Sequence, residues 1–207
     1  MIYSVRPDML VADQNASDFR IAAGRQLAIE SPIEGDIDHV IPIPESGIYS
    51  ATGYSAESKI PLFFGIIRDY FTEKTLYSST TSNRYEKLKR KLIPIESLIK
   101  DKNIVIVDEA VLSGSTLKIM IQILRDVGAK KIHIRIPSPI IANECTGRVL
   151  PKVNLLYPQL GKNKSQRQYQ QQLSEEFQVD SFAFLTLDGF LKATKKKEYF
   201  CTECFYS

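Results

Sequence analysis

The chain has 207 residues, which is enough for one α/β domain with a large core and a modest appendage. Its hydrophobic content of 43% and charged content of 25% are ordinary for a soluble globular protein, and it contains no apolar run of the length that spans a membrane. The net charge of +3 suits small anionic substrates without indicating nucleic acid, and three cysteines, an odd number, argue against a disulfide framework and for a reducing, cytoplasmic location.

The first predicted element is a helix from Asp18 to Glu30, with Ser17 as its expected cap. Its apolar spacing predicts that one face packs against the rest of the domain. Nothing catalytic stands out in this helix. Residues 1–8 lack the apolar segment that a secretion signal needs.

A buried strand is predicted next, from Asp38 to Pro44, and it leads into a turn and a second helix. The turn contains Glu45, Ser46 and Gly47. Backbone N–H groups and a hydroxyl at the start of a helix can bind an anion, so this turn is a candidate anion site. An ordinary strand-to-helix turn is the alternative interpretation.

A further apolar strand is predicted over residues 60–67, and a long polar segment follows it as far as Asn83. Such a segment inside a compact domain predicts a mobile functional loop. Residues 84–91 then carry five cations in eight positions, which could form a basic lid or only a solvated face. No aromatic platform or recognition helix accompanies this charge, so nucleic-acid binding is not expected.

The most informative stretch runs from Ile104 to Gly128. Four β-branched residues predict a short buried strand that ends at two carboxylates, Asp108 and Glu109. A loop of small residues from Ser113 to Thr116 then opens a helix, whose free N–H groups predict a phosphate site. The carboxylates suit the hydroxyls of a ribose, so the stretch as a whole suits a sugar phosphate. The lysine of a Walker A loop and the three spaced glycines of a dinucleotide site are both lacking.

The remaining chain contains a β-branched strand near Ile132 and the cysteines Cys145, Cys201 and Cys204. A C-x-x-C pair allows two thiolates to bind one metal ion, and a third cysteine could complete most of a soft-metal site. Zinc completed by His or Asp is one hypothesis, and three free thiols is another. His39 and His133 are expected to be structural, since each adjoins or lies within an apolar strand.

The stretch from Ile104 to Thr116 resembles the phosphoribosyl pyrophosphate (PRPP) signature of type I phosphoribosyltransferases. Together with residues 132–139 it resembles the PRPP domain of the amidophosphoribosyltransferases, and the resemblance covers nearly the whole chain except for a weaker part at 150–176. It implies an α/β fold with a twisted, mostly parallel sheet flanked by helices and a small hood from the termini. It also implies a single domain over residues 1–207, with a core of about 20–150 and a C-terminal extension of 151–207.

The resemblance implies Mg²⁺-dependent transfer of phosphoribose from PRPP to ammonia or another nitrogen nucleophile, as in purine biosynthesis. Asp108 and Glu109 would bind the ribose hydroxyls and, through the substrate, Mg²⁺. With them, Lys74 and Arg84 are the expected catalytic residues. The other residues expected to bind PRPP lie in the two candidate anion sites and the basic lid: Glu45, Ser46, Gly47, Ser113, Gly114, Ser115, Thr116, Lys89 and Lys91.

Four positions depart from the family pattern. Tyr70 and Ser113 stand where the family has arginines, Ala110 replaces a serine, and Glu109 replaces an aspartate. These departures leave open a slow enzyme, a different nucleophile, or a regulatory protein that binds PRPP without turning it over.

The family's glutaminase uses an N-terminal cysteine, and this chain has no cysteine before Cys145. It is therefore expected to lack its own glutaminase and to take ammonia from solution or from a separate glutaminase chain in a split enzyme. A homo-oligomer is a further alternative for its partners. One branch of the family carries a four-iron cluster, and the three cysteines resemble three of its four ligands. An iron–sulfur cluster is thus a further hypothesis beside zinc and free thiols.

Overall fold

Four parallel strands form the central sheet of the computed structural model, which describes residues 5–69, 84–145, 154–160 and 164–205, with only the backbone for 84–87 and 159–160. The helices and strands are, in chain order, β1 (Leu10–Val11), β2 (Gln14–Asn15), α1 (Ala16–Glu30), β3 (His39–Pro42), α2 (Ile48–Ser58), β4 (Ile66–Arg68), α3 (Arg84–Lys91), β5 (Leu92–Pro94), α4 (Glu96–Ile99), β6 (Asn103–Val107), α5 (Ser115–Val127), β7 (Lys131–Ile136), α6 (Leu156–Leu160), α7 (Gln166–Glu176), β8 (Ser181–Phe184) and α8 (Leu187–Lys192), followed by a 3₁₀ turn at Lys197–Tyr199. The strand order in the central sheet is β3-β6-β7-β8.

Strand β6 lies inside the sheet, between β3 and β7, as its apolar sequence predicts. Residues Ile104 to Val107 are fully buried, and the register pairs Val105 with Val40 on one side and with His133 on the other. A parallel sheet covered by helices on both faces favours continuous β-branched runs over alternating ones. The carboxyl ends of β3 and β6 therefore lie side by side, and the segments that follow them meet at one edge.

Helices α1 and α2 pack closely enough for their backbones to touch. A Cβ on Gly24 would lie 1.9 Å from the Ser50 carbonyl oxygen, and a Cβ on Gly53 would lie 1.9 Å from the Ile21 carbonyl oxygen. Each glycine thus permits an approach that no other residue would allow. The helix predicted from Asp18 is confirmed, but it begins earlier, at Ala16, and its cap is Asn15 rather than the expected serine.

Helix α5 places Leu117, Met120, Ile121 and Leu124 in the hydrophobic core cluster that also contains Ile104 and Ile106 of β6, as the helical spacing predicts. Gly128 ends the helix with φ of +97° and donates its N–H to the Arg125 carbonyl. A left-handed residue at this point is the usual end of a helix and favours glycine.

The apolar run of residues 60–67 was expected to form one strand, and that prediction is wrong. Only β4 is a strand there, and it pairs antiparallel with β5 outside the central sheet. The preceding residues cross the edge of β3 with a single bridge between Leu62 and Val40. The Val40 N–H and carbonyl bond to the Pro61 carbonyl and the Phe63 N–H, and Gly65 then lies close against Ile41, so the ladder stops.

The C-terminal extension supplies part of the central sheet, because β8 pairs in parallel with β7. The two ends of the chain also pack together. Gln14 Nε2 donates to the Ala193 carbonyl at 3.1 Å, and the Phe19 and Phe190 rings lie 5.1 Å apart, edge to face. The division of the chain at residue 150 stays a prediction.

The surroundings of His133 indicate a structural role. Its Nδ1 lies 2.8 Å from Ser181 Oγ, and burial lowers the pKa of the imidazole to about 4, so the ring is neutral at physiological pH. Among the helices that the structure describes, none is long and apolar enough to cross a membrane.

Candidate active site at the carboxyl ends of β3 and β6

Two of the sequence-predicted segments meet at the carboxyl edge of the sheet. Ser46, in the turn after β3, donates a hydrogen bond of 2.9 Å from Oγ to Asp108 Oδ1, at the end of β6. The same oxygen accepts the Glu109 N–H at 2.8 Å. The Asp108 side chain is therefore fixed by both segments before any ligand arrives.

The turn after β3 approaches β6 so closely that it requires glycine. A Cβ on Gly47 would lie 2.2 Å from the Val107 carbonyl oxygen, which is backbone and cannot move aside cheaply. The Gly47 N–H donates to the Ile43 carbonyl, and the peptide bond between Pro44 and Glu45 is cis. Glu45 is exposed at the surface of this turn.

The loop after Glu109 leads into α5 through a glycine in the left-handed region. Gly114 has φ of +70°, and Ser113 and Ser115 share a hydrogen bond of 2.9 Å between their hydroxyl oxygens. The first N–H groups of a helix have no acceptor within the helix. They carry a partial positive charge, so the start of α5 is suited to a phosphate.

A cavity of about 360 Å³ joins the two segments. Its size is at the lower end of small-molecule sites. The predicted site residues that line it are Ser46, Asp108, Glu109, Ser113, Gly114 and Thr116. Val111, Leu112 and Leu117 line it as well, although sequence reasoning did not select them as site residues.

The two carboxylates are both shifted toward the neutral form. Burial raises the pKa of Asp108, and the hydrogen bonds from the Glu109 N–H and the Ser46 hydroxyl oppose that rise. Burial also raises the pKa of Glu109, to about 7, while Arg20 lowers it and Asp108 raises it further. Such a shift inside a cavity is a common mark of a functional site.

Arg20, on α1, acts on the site through its charge, although it does not line the cavity. The residue is 4% exposed, and its Nη2 donates to the Val5 carbonyl at 2.9 Å. A buried guanidinium acting on Glu109 favours the ionised carboxylate. The interaction of Arg20 with Glu109 joins distant parts of the chain, so no local sequence pattern could reveal it.

The predicted basic lid is only partly described. Lys74 lies outside the described residues, and the side chain of Arg84, at the start of α3, is not described either. Lys89 is exposed and Lys91 is half-buried at the end of the helix, next to Leu88, which packs on the core. The roles assigned to these four cations stay predictions.

The donor set of the cavity fits Mg²⁺ better than a soft metal. Carboxylate and hydroxyl oxygens are hard ligands, and Mg²⁺ is usually bound through one or two carboxylates together with substrate phosphates. Across residues 5–69, 84–145, 154–160 and 164–205, no three His, Cys, Asp or Glu side chains are grouped to hold a metal. Asp108 and Glu109 would therefore hold Mg²⁺ only together with the substrate.

The three cysteines lie near one another without forming a ligand set in this structure. The segment around Ile141 bridges to Phe205, and the Ala142 N–H donates to the Cys204 carbonyl at 2.8 Å. None of the three cysteines forms a disulfide; Cys204 is buried and Cys201 is exposed. Burial raises the pKa of Cys204, with a further contribution from Cys145. Among the residues that the structure describes, no three His, Cys, Asp or Glu side chains are grouped to hold a metal, so the iron–sulfur cluster and the zinc site stay hypotheses.

Comparisons with known proteins agree with this geometry. The family model described as the phosphoribosyl transferase domain matches residues 14–138. The amidophosphoribosyltransferase of Synechocystis sp. is 33% identical over 99% of this chain and 40% of its own length. The chloroplastic amidophosphoribosyltransferase 1 of Arabidopsis thaliana is 34% identical over 99% of this chain and 35% of its own length.

Among solved structures, the glutamine PRPP amidotransferase from B. subtilis, complexed with ADP and GMP, matches with a TM-score of 0.82 at 27% identity. That match covers 99% of this chain and 44% of the other. The chain thus spans well under half the length of the relatives it matches.

Proposed function

Because the chain belongs to the phosphoribosyl transferase domain family, we propose that it transfers the phosphoribosyl group of PRPP to ammonia or another nitrogen nucleophile and releases pyrophosphate. The observation that carries this proposal is the hydrogen bond between Ser46 and Asp108. It joins the two anion-binding segments around one cavity, with a carboxylate between them. PRPP has the matching arrangement of charge, because its ribose lies between a phosphate and a pyrophosphate.

Each part of the cavity has a role in this reaction. The 5′-phosphate binds to the hydroxyls and N–H groups from Ser113 to Thr116, at the start of α5. The ribose hydroxyls bind to the carboxylates of Asp108 and Glu109. The turn from Glu45 to Gly47 holds the pyrophosphate. Mg²⁺, when bound, neutralises the charge of the departing pyrophosphate.

The chain's own residues assist mainly by position and charge. A bond forms between the nitrogen and the anomeric carbon while the bond from that carbon to the pyrophosphate oxygen breaks. Positive charge develops on the ribose during this exchange, and the carboxylates of Asp108 and Glu109 stabilise it. Neutral ammonia brings its own lone pair, so the displacement itself needs no general base. Lys74, Arg84, Lys89 and Lys91 are the cations proposed to neutralise the leaving pyrophosphate and to exclude water from it.

The test is the release of pyrophosphate from PRPP by the purified chain, measured with Mg²⁺ and either ammonium or glutamine. Ammonium should support release. Glutamine alone should not, because the thiol nucleophile implied by the family resemblance is missing from this chain, whose first cysteine is Cys145. Release with glutamine alone would contradict the expectation that these 207 residues hold no glutaminase, and release with neither would contradict transfer to ammonia.

A second candidate function is PRPP binding without turnover, as in a regulatory protein. It is favoured by Ala110 and Ser113, which line the cavity without the polar and cationic groups of the family pattern. Calorimetry that detects PRPP binding while no amine supports pyrophosphate release would favour this alternative. A third candidate, the PRPP subunit of a split amidotransferase, would be favoured by glutamine-dependent release that appears only with a co-purifying glutaminase chain.

A further inference from the structure

The backbone at Gly114, in the proposed phosphate loop, lies against two side chains from the C-terminal part of the chain. A Cβ on Gly114 would lie 2.8 Å from Phe177 Cζ and 3.1 Å from Leu156 Cδ2. Both side chains are thus within contact distance of the glycine. The φ of +70° at Gly114 is one that glycine adopts without penalty, but glycine also has many other conformations open to it.

The other end of this loop, at Leu112, is held by helix α6, to which Leu156 belongs. The N–H of Leu156, the first residue of α6, donates a hydrogen bond of 2.8 Å to the Leu112 carbonyl. Leu112 and Gly114 both line the cavity. One residue therefore supports the loop at two points, by its backbone at Leu112 and by its side chain at Gly114.

The supporting residues are themselves anchored to the core. Tyr157, next to Leu156, packs its ring edge to face against Tyr169 of α7, with centroids 5.1 Å apart. Phe177 caps the end of α7, donates its N–H to the Leu173 carbonyl and packs against Phe182 of β8. The support beneath the loop thus continues into the central sheet.

We propose that Leu156 and Phe177 are positioning residues, which hold the loop from Leu112 to Gly114 in the conformation that binds the substrate phosphate. This inference rests on the proposed function, because it assumes that the loop binds the phosphate of PRPP. An unsupported loop would have to be ordered each time the ligand binds, and that cost would weaken binding. A displacement of the loop would also misplace the ribose relative to Asp108.

The test separates the two supports at Leu156. Leu156→Ala removes the side-chain contact with Gly114 and keeps the N–H bonded to Leu112. Leu156→Pro removes the N–H as well, and proline is tolerated in the first turn of a helix. Phe177→Leu replaces the other supporting ring with a shorter side chain, which weakens the contact with Gly114. The matched control is Phe190→Leu, because Phe190 is equally buried and packs on Phe19 and Phe205, which belong neither to the cavity nor to the support.

Affinity is measured by calorimetry with ribose 5-phosphate as the probe, together with KM for PRPP, kcat and the melting temperature. Leu156→Ala and Phe177→Leu should each weaken ribose 5-phosphate binding about fivefold and raise KM for PRPP more than they lower kcat. Leu156→Pro should weaken ribose 5-phosphate binding further, by about tenfold or more. Phe190→Leu should lower the melting temperature by at least as much as these variants do, while changing the affinity by less than about twofold.

Unchanged affinity in Leu156→Ala and Phe177→Leu would overturn the inference, and so would an equal loss of affinity in Phe190→Leu. Leu156 is only half-buried, so Leu156→Ala is expected to fold even if Phe177→Leu does not. If the wild-type protein binds PRPP and the support variants bind ribose 5-phosphate as tightly as the wild type does, only the positioning role is refuted. Wild-type protein that binds neither PRPP nor ribose 5-phosphate refutes the proposed function and, with it, this inference.

Discussion

The hydroxyl of Ser46 and the carboxylate of Asp108 are 62 residues apart in the chain, yet they share a hydrogen bond of 2.9 Å. The parallel pairing of β3 with β6 makes this contact possible, since Pro42 and Val107 are paired at the ends of the two strands. Ligands of open α/β sheets commonly bind at this edge, beyond the carboxyl ends of the strands. The hydrogen bond therefore links the fold to the reaction, because it orients the acid from a neighbouring strand.

The first prediction concerns the charge of Asp108. Asp108→Asn keeps the size of the side chain and an oxygen that can accept from Ser46, so the protein should fold normally. Loss of the negative charge should lower kcat/KM for PRPP by about 10²-fold to 10³-fold, the usual cost of removing one group that stabilises transition-state charge. Pyrophosphate release and circular dichroism would measure the two effects. Asp36→Asn, at an exposed position, is the control; equal losses in both variants would contradict a role for Asp108 in the site.

The second prediction concerns the pH dependence that Glu109 confers. Its pKa in the folded protein is raised to about 7, so its charge is lost as the pH falls through 7, and PRPP affinity should fall with it. In Glu109→Gln this part of the pH profile should disappear. A pH profile of kcat/KM that is the same in the two proteins would refute the assignment.

Ionisation of Glu109 should favour PRPP binding but lower the free energy of unfolding. Because the folded state disfavours the ionised carboxylate, Glu109→Gln should be more stable than the wild type at pH 8, by on the order of 3 kcal/mol. The difference should vanish below about pH 4, where Glu109 is protonated in both the folded and the unfolded state. Urea unfolding at the two pH values measures it.

The third prediction concerns Gly47. In Gly47→Ala the new Cβ would meet the Val107 carbonyl oxygen at 2.2 Å, so the turn must move away from β6 and carry Ser46 off Asp108. We expect a loss of about 2–4 kcal/mol in unfolding free energy, as for other overpacked sites, together with weaker PRPP binding. Gly35→Ala is a matched control: its φ is +93° but no atom lies within 4 Å of the new Cβ. It should lose only about 1 kcal/mol and keep its PRPP affinity.

Much of this architecture could be predicted from the sequence, because its strands are apolar runs and its helices have regular spacing. The type I phosphoribosyltransferase fold, the buried strand β6 and the end of α5 at Gly128 are confirmed. The prediction of one strand over residues 60–67 is wrong because the apolar residues there cross the edge of β3 and include two exposed phenylalanines, and they do not form a continuous ladder.

The site itself was predictable only in part. Both candidate anion-binding segments follow strands, so their meeting at one edge follows from a parallel sheet. Arg20 and Phe177 could not be chosen in this way, because their contacts depend on how α1 and α7 pack, and no local pattern encodes that. The roles assigned to the lid cations remain predictions, since Lys74 lies outside the described residues.

The fourth prediction concerns the junction between the first and last helices. The Glu30 carboxylate accepts the Thr186 N–H and the Thr186 hydroxyl, both at 3.0 Å, at the start of α8. Glu30→Ala leaves the Thr186 N–H without this partner and should cost about 1–3 kcal/mol of unfolding free energy. PRPP affinity should stay the same, because Glu30 lies outside the cavity. Glu34→Ala, at an exposed position, should leave both quantities unchanged, and a loss of PRPP affinity in Glu30→Ala would contradict a purely structural role.

The fifth prediction concerns the order in which Mg²⁺ and PRPP bind. The described side chains offer no group of three metal ligands, and two carboxylates with raised pKa values are poor ligands on their own. Mg²⁺ keeps several waters and is usually shared with substrate phosphates, so it should bind the protein only together with PRPP. Calorimetric titration with MgCl₂ should give negligible heat with the protein alone, and a chelator should abolish pyrophosphate release. Tight Mg²⁺ binding without PRPP, retained in Asp108→Asn, would place the metal elsewhere in the protein and contradict the assignment of Asp108 and Glu109.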